Sequence, residues 1–448
     1  MARQKASGSK KAAKKKAVAA KSKPAVGKPK AAVGKVKPAV GKPKPAVGKV
    51  KPAAKGKGSG KEPGRFAHPF WTKPIHTAGK NVPGAGEKMT DYVATQLQPI
   101  PKPKRNPPSM TLEDIIGTDG ANAVKGAGSV TFHTFGDSGN PSTDIQEVIA
   151  TAMTADFNLQ NPALSPAFLF HLGDVIYYDN TDRGYQAQFY VPYKKYPGKI
   201  IAIPGNHDGE LFKYDGTSTG QKTTLEAFQE NFCLPGPGVP PAAGTIYREM
   251  VSQPAVYWWL DAYYVDIVAL YSNIGEGPGY ISGKIPGEDQ KNWLKATLAS
   301  IAKSRTGGGR RKGLIIASHH PPYSAGGHDS STDMLKDIDE CCEAAGLMPD
   351  AYLAGHAHTY QRFTRYPSSG SSNVGIPYYV VGTGGRKPSH VKEATGARTG
   401  NVSFDSSASC YGYLTVKASG TQLQFNFTRV DDKTGAKSSF DQTITVNY

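Results

Sequence analysis

Residues 199–208 read Lys-Ile-Ile-Ala-Ile-Pro-Gly-Asn-His-Asp, an apolar run that stops at a polar turn. A short apolar run bounded by Pro and Gly suits a strand buried on both faces. Such a strand delivers Asn206, His207 and Asp208 to its carboxyl end, the edge at which open α/β sheets bind ligands. The same design recurs four times. Apolar runs at 130–135, 168–172, 313–317 and 351–354 lead to Gly136-Asp137-Ser138-Gly139, Gly173-Asp174-Val175-Ile176-Tyr177, His319-His320-Pro321 and Gly355-His356-Ala357-His358.

Working outward, the pattern predicts further strands over 256–260, 265–271 and 378–381. Alternating runs over 413–417, 423–429 and 442–446 predict antiparallel strands near the C-terminus. Helical periodicity falls on 144–157, 185–193, 224–231, 289–303 and 332–345, and residues 111–116 read as one or two helical turns. Strands alternating with helices and closing in strands predict a layered α/β (α+β) body.

The chain has 448 residues and a net charge of +18, but the charge is unevenly placed. Residues 1–65 hold 21 of the 54 Lys and Arg and one acid, Glu62, so the remainder is close to neutral. From Pro24 a seven-residue unit recurs: PAVGKPK (24–30), AAVGKVK (31–37), PAVGKPK (38–44), PAVGKVK (45–51) and a decayed PAAKGKG (52–58). Its prolines break helices, and its apolar residues are too small to offset the entropy of ordering, so 1–65 is expected to be a disordered Lys/Pro/Ala-rich tail. Evenly spaced Lys on an extended chain suits nucleic acid or polyphosphate as a partner of residues 1–60, and a solvated tail without a partner is the alternative. Residues 66–127 read as a linker that packs along the body, and 128–448 as the catalytic domain.

Four cysteines are too few for a disulfide scaffold, and the neighbours Cys341 and Cys342 would bridge only under strain. No window reaches the roughly 18–20 apolar residues of a membrane span, and no apolar signal core is visible. The expectation is a cytoplasmic protein.

The polar strand ends carry the chemistry. Carboxylate, amide oxygen, imidazole and phenolate converging at one sheet edge suit two metal ions, which together clamp both oxygens of a phosphoryl displacement. Taken singly, Asp137 reads equally well as a helix cap and Asn206 as a turn residue. Packing beside Tyr178 is the alternative reading of Tyr177. His171 and His133, inside strands, read as core histidines. His320 reads as a pocket neighbour of His319, and Asp208 as a residue that orients His207 or its turn.

The set of motifs resembles the calcineurin-like metallophosphoesterases, and within them the purple acid phosphatases, over roughly residues 128–430. Most of that superfamily opens with Asp-x-His, whereas here the third position is Gly139. The purple branch supplies the missing ligand from a Tyr three residues after the second Asp, and here that position is Tyr177. The resemblance implies a sandwich of two mixed β-sheets flanked by helices. By position it implies one metal on Asp137, Asp174, Tyr177 and His358, and another on Asp174, Asn206, His319 and His356, with Asp174 bridging. A phenolate ligand implies Fe(III) paired with Zn, Mn or Fe(II). His207 matches the family's histidine at the substrate phosphate or leaving group, and His328, nine residues past His319, is the expected proton donor to the leaving oxygen. Gly382-Thr383-Gly384-Gly385 resembles the family's late glycine turn, and Tyr360 and Arg362 are candidates for the rim, Arg362 either meeting phosphate or forming an ion pair. The function implied is hydrolysis of phosphomonoesters of small molecules by a metal-activated hydroxide. A phosphodiesterase or nucleotide pyrophosphatase on the same site, or a protein tethered to nucleic acid by its tail, are the alternatives. Purple acid phosphatases are usually exported, which this sequence does not announce.

Overall fold

The computed structural model describes residues 97–448 apart from 159, 214–215, 308–309 and 367–374. The expectations for 1–65 and for 66–96 lie outside the described residues. In chain order the elements are β1 (Ser109–Thr111), α1 (Leu112–Ala127), β2 (Ser129–Phe135), α2 (Ile145–Thr154), β3 (Phe168–His171), β4 (Lys199–Ala202), α3 (Asn206–Gly209) and α4 (Glu226–Phe232). There follow β5 (Trp258–Asp261), β6 (Val265–Leu270), α5 (Asp289–Thr306), β7 (Gly313–Ser318), α6 (Thr332–Ala345), β8 (Ala351–Ala354), β9 (Tyr360–Arg365) and β10 (Ile376–Val381). The chain closes with β11 (Arg398–Thr399), β12 (Val402–Ala408), β13 (Tyr411–Ser419), β14 (Gln422–Val430) and β15 (Lys437–Asn447).

Two mixed sheets result. One has nine strands in the order β1-β5-β6-β7-β8-β10-β9-β12-β11, and the other six in the order β15-β14-β13-β2-β3-β4. β6, β7, β8 and β10 run parallel in the first, and β2, β3 and β4 in the second. Strands that are apolar throughout must bury both faces, and alternate residues enter two different layers. Val265, Ile267 and Ala269 of β6 join Phe170, Leu353 and Phe425 in the interior shared by both sheets. Val268 and Leu270 of the same strand face outward, with Leu294 and Leu298 of α5 and Leu335 and Ile338 of α6. Trimming one such buried side chain to Ala would cost about 2–5 kcal/mol.

The elements differ from the sequence reading in three places. α1 extends through 16 residues instead of one or two turns from 111. Gly117, at φ 73°, interrupts it, yet Ala121 and Val124 beyond the break bury as Leu112 and Ile115 do before it. The helix expected over 185–193 is split, with a wide π turn over Gln186–Tyr190 between short α pieces. Pro192, in the last piece, has no N–H to return to the preceding turn. β1, β9, β11 and β12 were not foreseen. All four cysteines are unpaired and buried. Among the described residues no helix is long and apolar enough to cross a membrane.

Candidate metal centre

The carboxyl ends of β2, β3 and β4 and those of β7 and β8 meet at one place, so both sheets contribute to one cleft floor. Backbone bonds lock the loops together. Asp137 N donates to Gly173 O (2.9 Å), and Gly355 N to His319 O (2.9 Å). His356 N donates to the Asp137 carboxylate across the two sheets (2.8 Å). Three of the converging residues hold left-handed backbones: Asp137 at φ 61°, Asp174 at 55° and His356 at 67°. That conformation costs about 1–2 kcal/mol for a residue with a Cβ and persists where the surroundings enforce it.

Two groups of side chains form around Asp174. In the first, the Tyr177 hydroxyl lies 3.2 Å from Asp137 Oδ1 and 3.1 Å from His358 Nε2, and His358 Nε2 lies 3.6 Å from Asp137 Oδ1. In the second, Asn206 Oδ1 lies 3.1 Å from His319 Nε2 and 3.0 Å from His356 Nδ1, and the two imidazole nitrogens are 3.3 Å apart. Asp174 belongs to both: Oδ2 is 3.4 Å from His319 Nε2, and the Tyr177 hydroxyl also bonds to its carboxylate. Asp137, Asp174, Tyr177, Asn206, His319 and His356 are all buried.

These residues fit metal ions. His319 Nδ1 donates to Leu172 O (2.8 Å), which leaves Nε2 to face the oxygens of Asp174 and Asn206. Acceptors so gathered away from water need positive charge among them. Burial works against a proton on His319, yet Asp174 and Asp137 raise its pKa to about 9. Burial raises Asp137 to about 7, with His319 opposing. Burial also works against charge on Asp174, and His319 and His207 outweigh it, holding its carboxyl far below the usual range. In addition, Asn206 Nδ2 and His356 Nε2 are buried without a hydrogen-bond partner.

The remaining expected residues divide between floor and wall. His207 donates from Nδ1 to Glu210 (2.9 Å), and its Nε2 lies 3.5 Å from Glu276. Burial opposes charge on His207, but Glu210, Asp174 and Glu276 raise its pKa well above the ordinary imidazole value. His328 packs its ring 4.0 Å from that of His356, its Nδ1 lies 4.0 Å from Glu276, and burial with the charge on His207 pushes its pKa down to about 4. Asp208 orients the turn and leaves His207 to Glu210: its carboxylate accepts from Gly205 N (2.8 Å), Val175 N (3.2 Å) and Ile176 N (3.3 Å). His320 has both nitrogens occupied, accepting from Ser272 at Nδ1 (2.8 Å) and donating to Gly275 O from Nε2 (2.7 Å). His171 likewise bonds Ser138 and Gly173 N within the core. Arg362 does not reach the cleft. It is buried in ion pairs to Asp441 (2.7 Å) and Asp405 (3.2 Å), and Tyr360 donates to the same Asp441. The late glycine turn is a packing device, since a Cβ at Gly382, Gly384 or Gly385 would strike backbone oxygens of the loops that carry the donors.

Residues 131–360, just over half of the chain, match the family model described as Calcineurin-like phosphoesterase. The chain belongs to that family. Its relatives place it beside the purple acid phosphatases, the branch its sequence resembles. It is similar to purple acid phosphatase 18 of Arabidopsis thaliana, with 31% identity over 101 residues, 22% of each chain. Purple acid phosphatase 21 of the same plant is 24% identical over 188 residues, 42% of this chain and 36% of that one. An acid phosphatase of Aspergillus ficuum is 26% identical over 166 residues, 33% of this chain and 25% of that one. The matches thus span between 22% and 36% of the length of these relatives. A dimetal centre is what the calcineurin-like phosphoesterase family implies at these positions.

Three further residues face this calcineurin-like centre. Glu210 and Glu276 offer carboxylate oxygens that, with a nitrogen of His207, lie within 4.8 Å of one another. Arg386 lies 4.2 Å over the Tyr177 ring and donates to the Tyr178 hydroxyl (3.1 Å). Sequence reasoning missed all three. Glu276 follows β6 and Arg386 follows β10, both parallel neighbours in the sheet that carries the histidines, so extending the strand-end rule to these two strands finds them. Glu210 stands three residues after His207, one helical turn away.

Proposed function

We propose that the chain is a metal-dependent hydrolase of phosphomonoesters of small molecules. The observation that supports it most is the meeting, on one cleft floor, of seven oxygen- and nitrogen-bearing side chains from two sheets, Asp174 among them. Asp137, Tyr177 and His358 would hold one cation and Asn206, His319 and His356 the other, Asp174 joining both. Deprotonated on binding, Tyr177 would suit Fe(III) on the first side, and the amide and imidazoles would suit Zn, Mn or Fe(II) on the second. Cations held by these residues would supply charge to offset that of the phosphoryl oxygens and would acidify a bound water.

The chain's own residues do the rest. Asp208 fixes the Gly205-Asn206-His207 turn through backbone N–H groups. Glu210 holds His207 by Nδ1, so that Nε2 faces the cleft as a proton donor to a phosphoryl oxygen. His328, over the histidine side of the floor, would protonate the leaving oxygen. Its proton affinity is depressed in the resting cleft, and a phosphate dianion beside it would raise that affinity.

The test is turnover of p-nitrophenyl phosphate against bis(p-nitrophenyl) phosphate from pH 4 to 9, with Fe and Zn or Mn supplied. The monoester should be preferred, and Asp174→Ala should lose on the order of 10³-fold in kcat. Preference for the diester would move the assignment to a phosphodiesterase. Absence of metal-dependent turnover of both would refute it.

A further inference from the structure

Arg386 brings a partly buried cation to the side of the cleft where Asp137, Asp174 and Tyr177 gather. The main chain fixes where it stands: its N–H donates to Asp137 O (2.9 Å), directly after the glycine turn at 382–385. The guanidinium lies 4.2 Å from the centre of the Tyr177 ring and 5.4 Å from that of Tyr178, and it donates to the Tyr178 hydroxyl (3.1 Å). Among the described residues no carboxylate pairs with it. Its charge is therefore spent on two aromatic faces and one phenol oxygen.

The segment under it is built to a purpose that packing alone does not explain. Tyr178 holds a left-handed backbone, φ 63°, which a residue with a Cβ keeps only where its surroundings enforce it. The rings of Tyr177 and Tyr178 meet edge to face with 5.8 Å between their centres. Tyr177 is also held at its main chain, its N–H donating to Gln188 Oε1 (2.9 Å) and its C=O accepting from Gln188 Nε2 (3.1 Å). The hydroxyl is left to Asp137 Oδ1 and His358 Nε2.

We infer that Arg386 is a positioning residue for Tyr177: anchored by the Tyr178 hydroxyl, it keeps a positive charge over the Tyr177 ring and so sets how strongly the phenolate donates to a cation bound there. The inference rests on the reading of Tyr177 as a metal ligand. A charge over an aromatic face lowers the energy of the ring electrons, and does so more where water is excluded. A carboxylate beside Arg386 would cancel the effect. An ammonium would reproduce it only in part, because the planar guanidinium stacks on one ring while donating to the next hydroxyl.

A phenolate bound to Fe(III) absorbs visible light by moving an electron from ring to metal, so that band reads the ring without turnover. The test is the absorption spectrum of the protein loaded with Fe(III) and Zn, for wild type, Arg386→Met, Arg386→Lys and Tyr178→Phe, with bound metal measured by mass spectrometry. Arg386→Met should move the band to longer wavelength by on the order of 20 nm, since the ring loses the cation above it. Arg386→Lys keeps the charge and Tyr178→Phe only releases its anchor, so each should shift the band less, in the same direction. An unmoved band in Arg386→Met, or equal shifts in Arg386→Met and Arg386→Lys as a merely structural role would give, would overturn the inference and leave Tyr177 a ligand. Should Arg386→Met lose its iron, Tyr178→Phe decides alone, and a band at the wild-type position would overturn the inference. A wild-type spectrum without the band, or a band that survives Tyr177→Phe, would remove Tyr177 from the ligands and the inference with it.

Discussion

Gly139 shows how one residue shapes the metal centre. It occupies the place where the wider superfamily carries a metal-binding His, and no side chain fits there: a Cβ would lie 2.6 Å from Ile176 Cα and 2.8 Å from Val175 O. The segment that fills the space is the one that carries Asp174 and Tyr177. Losing the His at 139 and gaining the Tyr at 177 are therefore two sides of one packing arrangement. Gly139→Ala should destabilise the fold by about 1–3 kcal/mol and weaken metal retention, because the methyl must push that backbone aside. Thermal unfolding and metal content by mass spectrometry check it, and wild-type values for both would show that the packing is not coupled to the site. The donors themselves were legible because each stands where an apolar run stops. Glu210 and Glu276 were not, since a carboxylate in a loop is ordinarily a solvated one and only the folded chain shows which histidine it faces. Arg362 took the ion-pair alternative left open for it. Its place just after His358 suggests the rim, but β9 turns it inward to Asp441 on β15, tying one sheet to the other.

Between elements, the polar cluster at His133 joins β2 to the end of α2 and to β13 and β15. His133 Nε2 lies 3.2 Å from Asp156, which also accepts from the Tyr413 hydroxyl (2.5 Å) and from Lys437 (2.5 Å). Burial would raise the Asp156 pKa, but bonds from His133, Lys437 and Tyr413 lower it from 3.8 to about 2. A carboxyl lowered by folding stabilises the fold above its unfolded pKa and loses that contribution as pH falls through the folded value. Asp156→Asn should thus be about 1–2 kcal/mol less stable than wild type near pH 6, a value discounted for partial exposure, with the gap closing between pH 4 and 2. Denaturant unfolding at several pH values tests this, and a gap independent of pH would contradict it. Strands with continuous apolar text were found within a residue or two of their ends. β12 was missed because Val-Ser-Phe-Asp-Ser-Ser-Ala lacks a β-forming run and is made a strand by pairing with β9, with an irregular register between Phe404 and Ser406. α1 was cut short because Gly117-Thr118-Asp119-Gly120 reads as a turn, while burial of Ala121 and Val124 carries the helix past it.

At the scale of the whole molecule, charge and chemistry separate. The near-neutral body carries the calcineurin-like centre, and the Lys-rich repeats of residues 1–60 carry the basic excess. Deleting 1–60 should leave turnover of p-nitrophenyl phosphate within about twofold while abolishing salt-sensitive retention on DNA or polyphosphate near ~100 mM salt. A full-length chain that shows no such retention would end the tether reading. The proposed hydrolytic site needs two cations, with Asp174 shared between them. Its most direct measurement strips the protein with chelator, returns metal in known equivalents and follows bound metal and p-nitrophenyl phosphate turnover together. Turnover should saturate as the second equivalent binds. Full turnover at one equivalent, or two bound equivalents with no turnover, would contradict it.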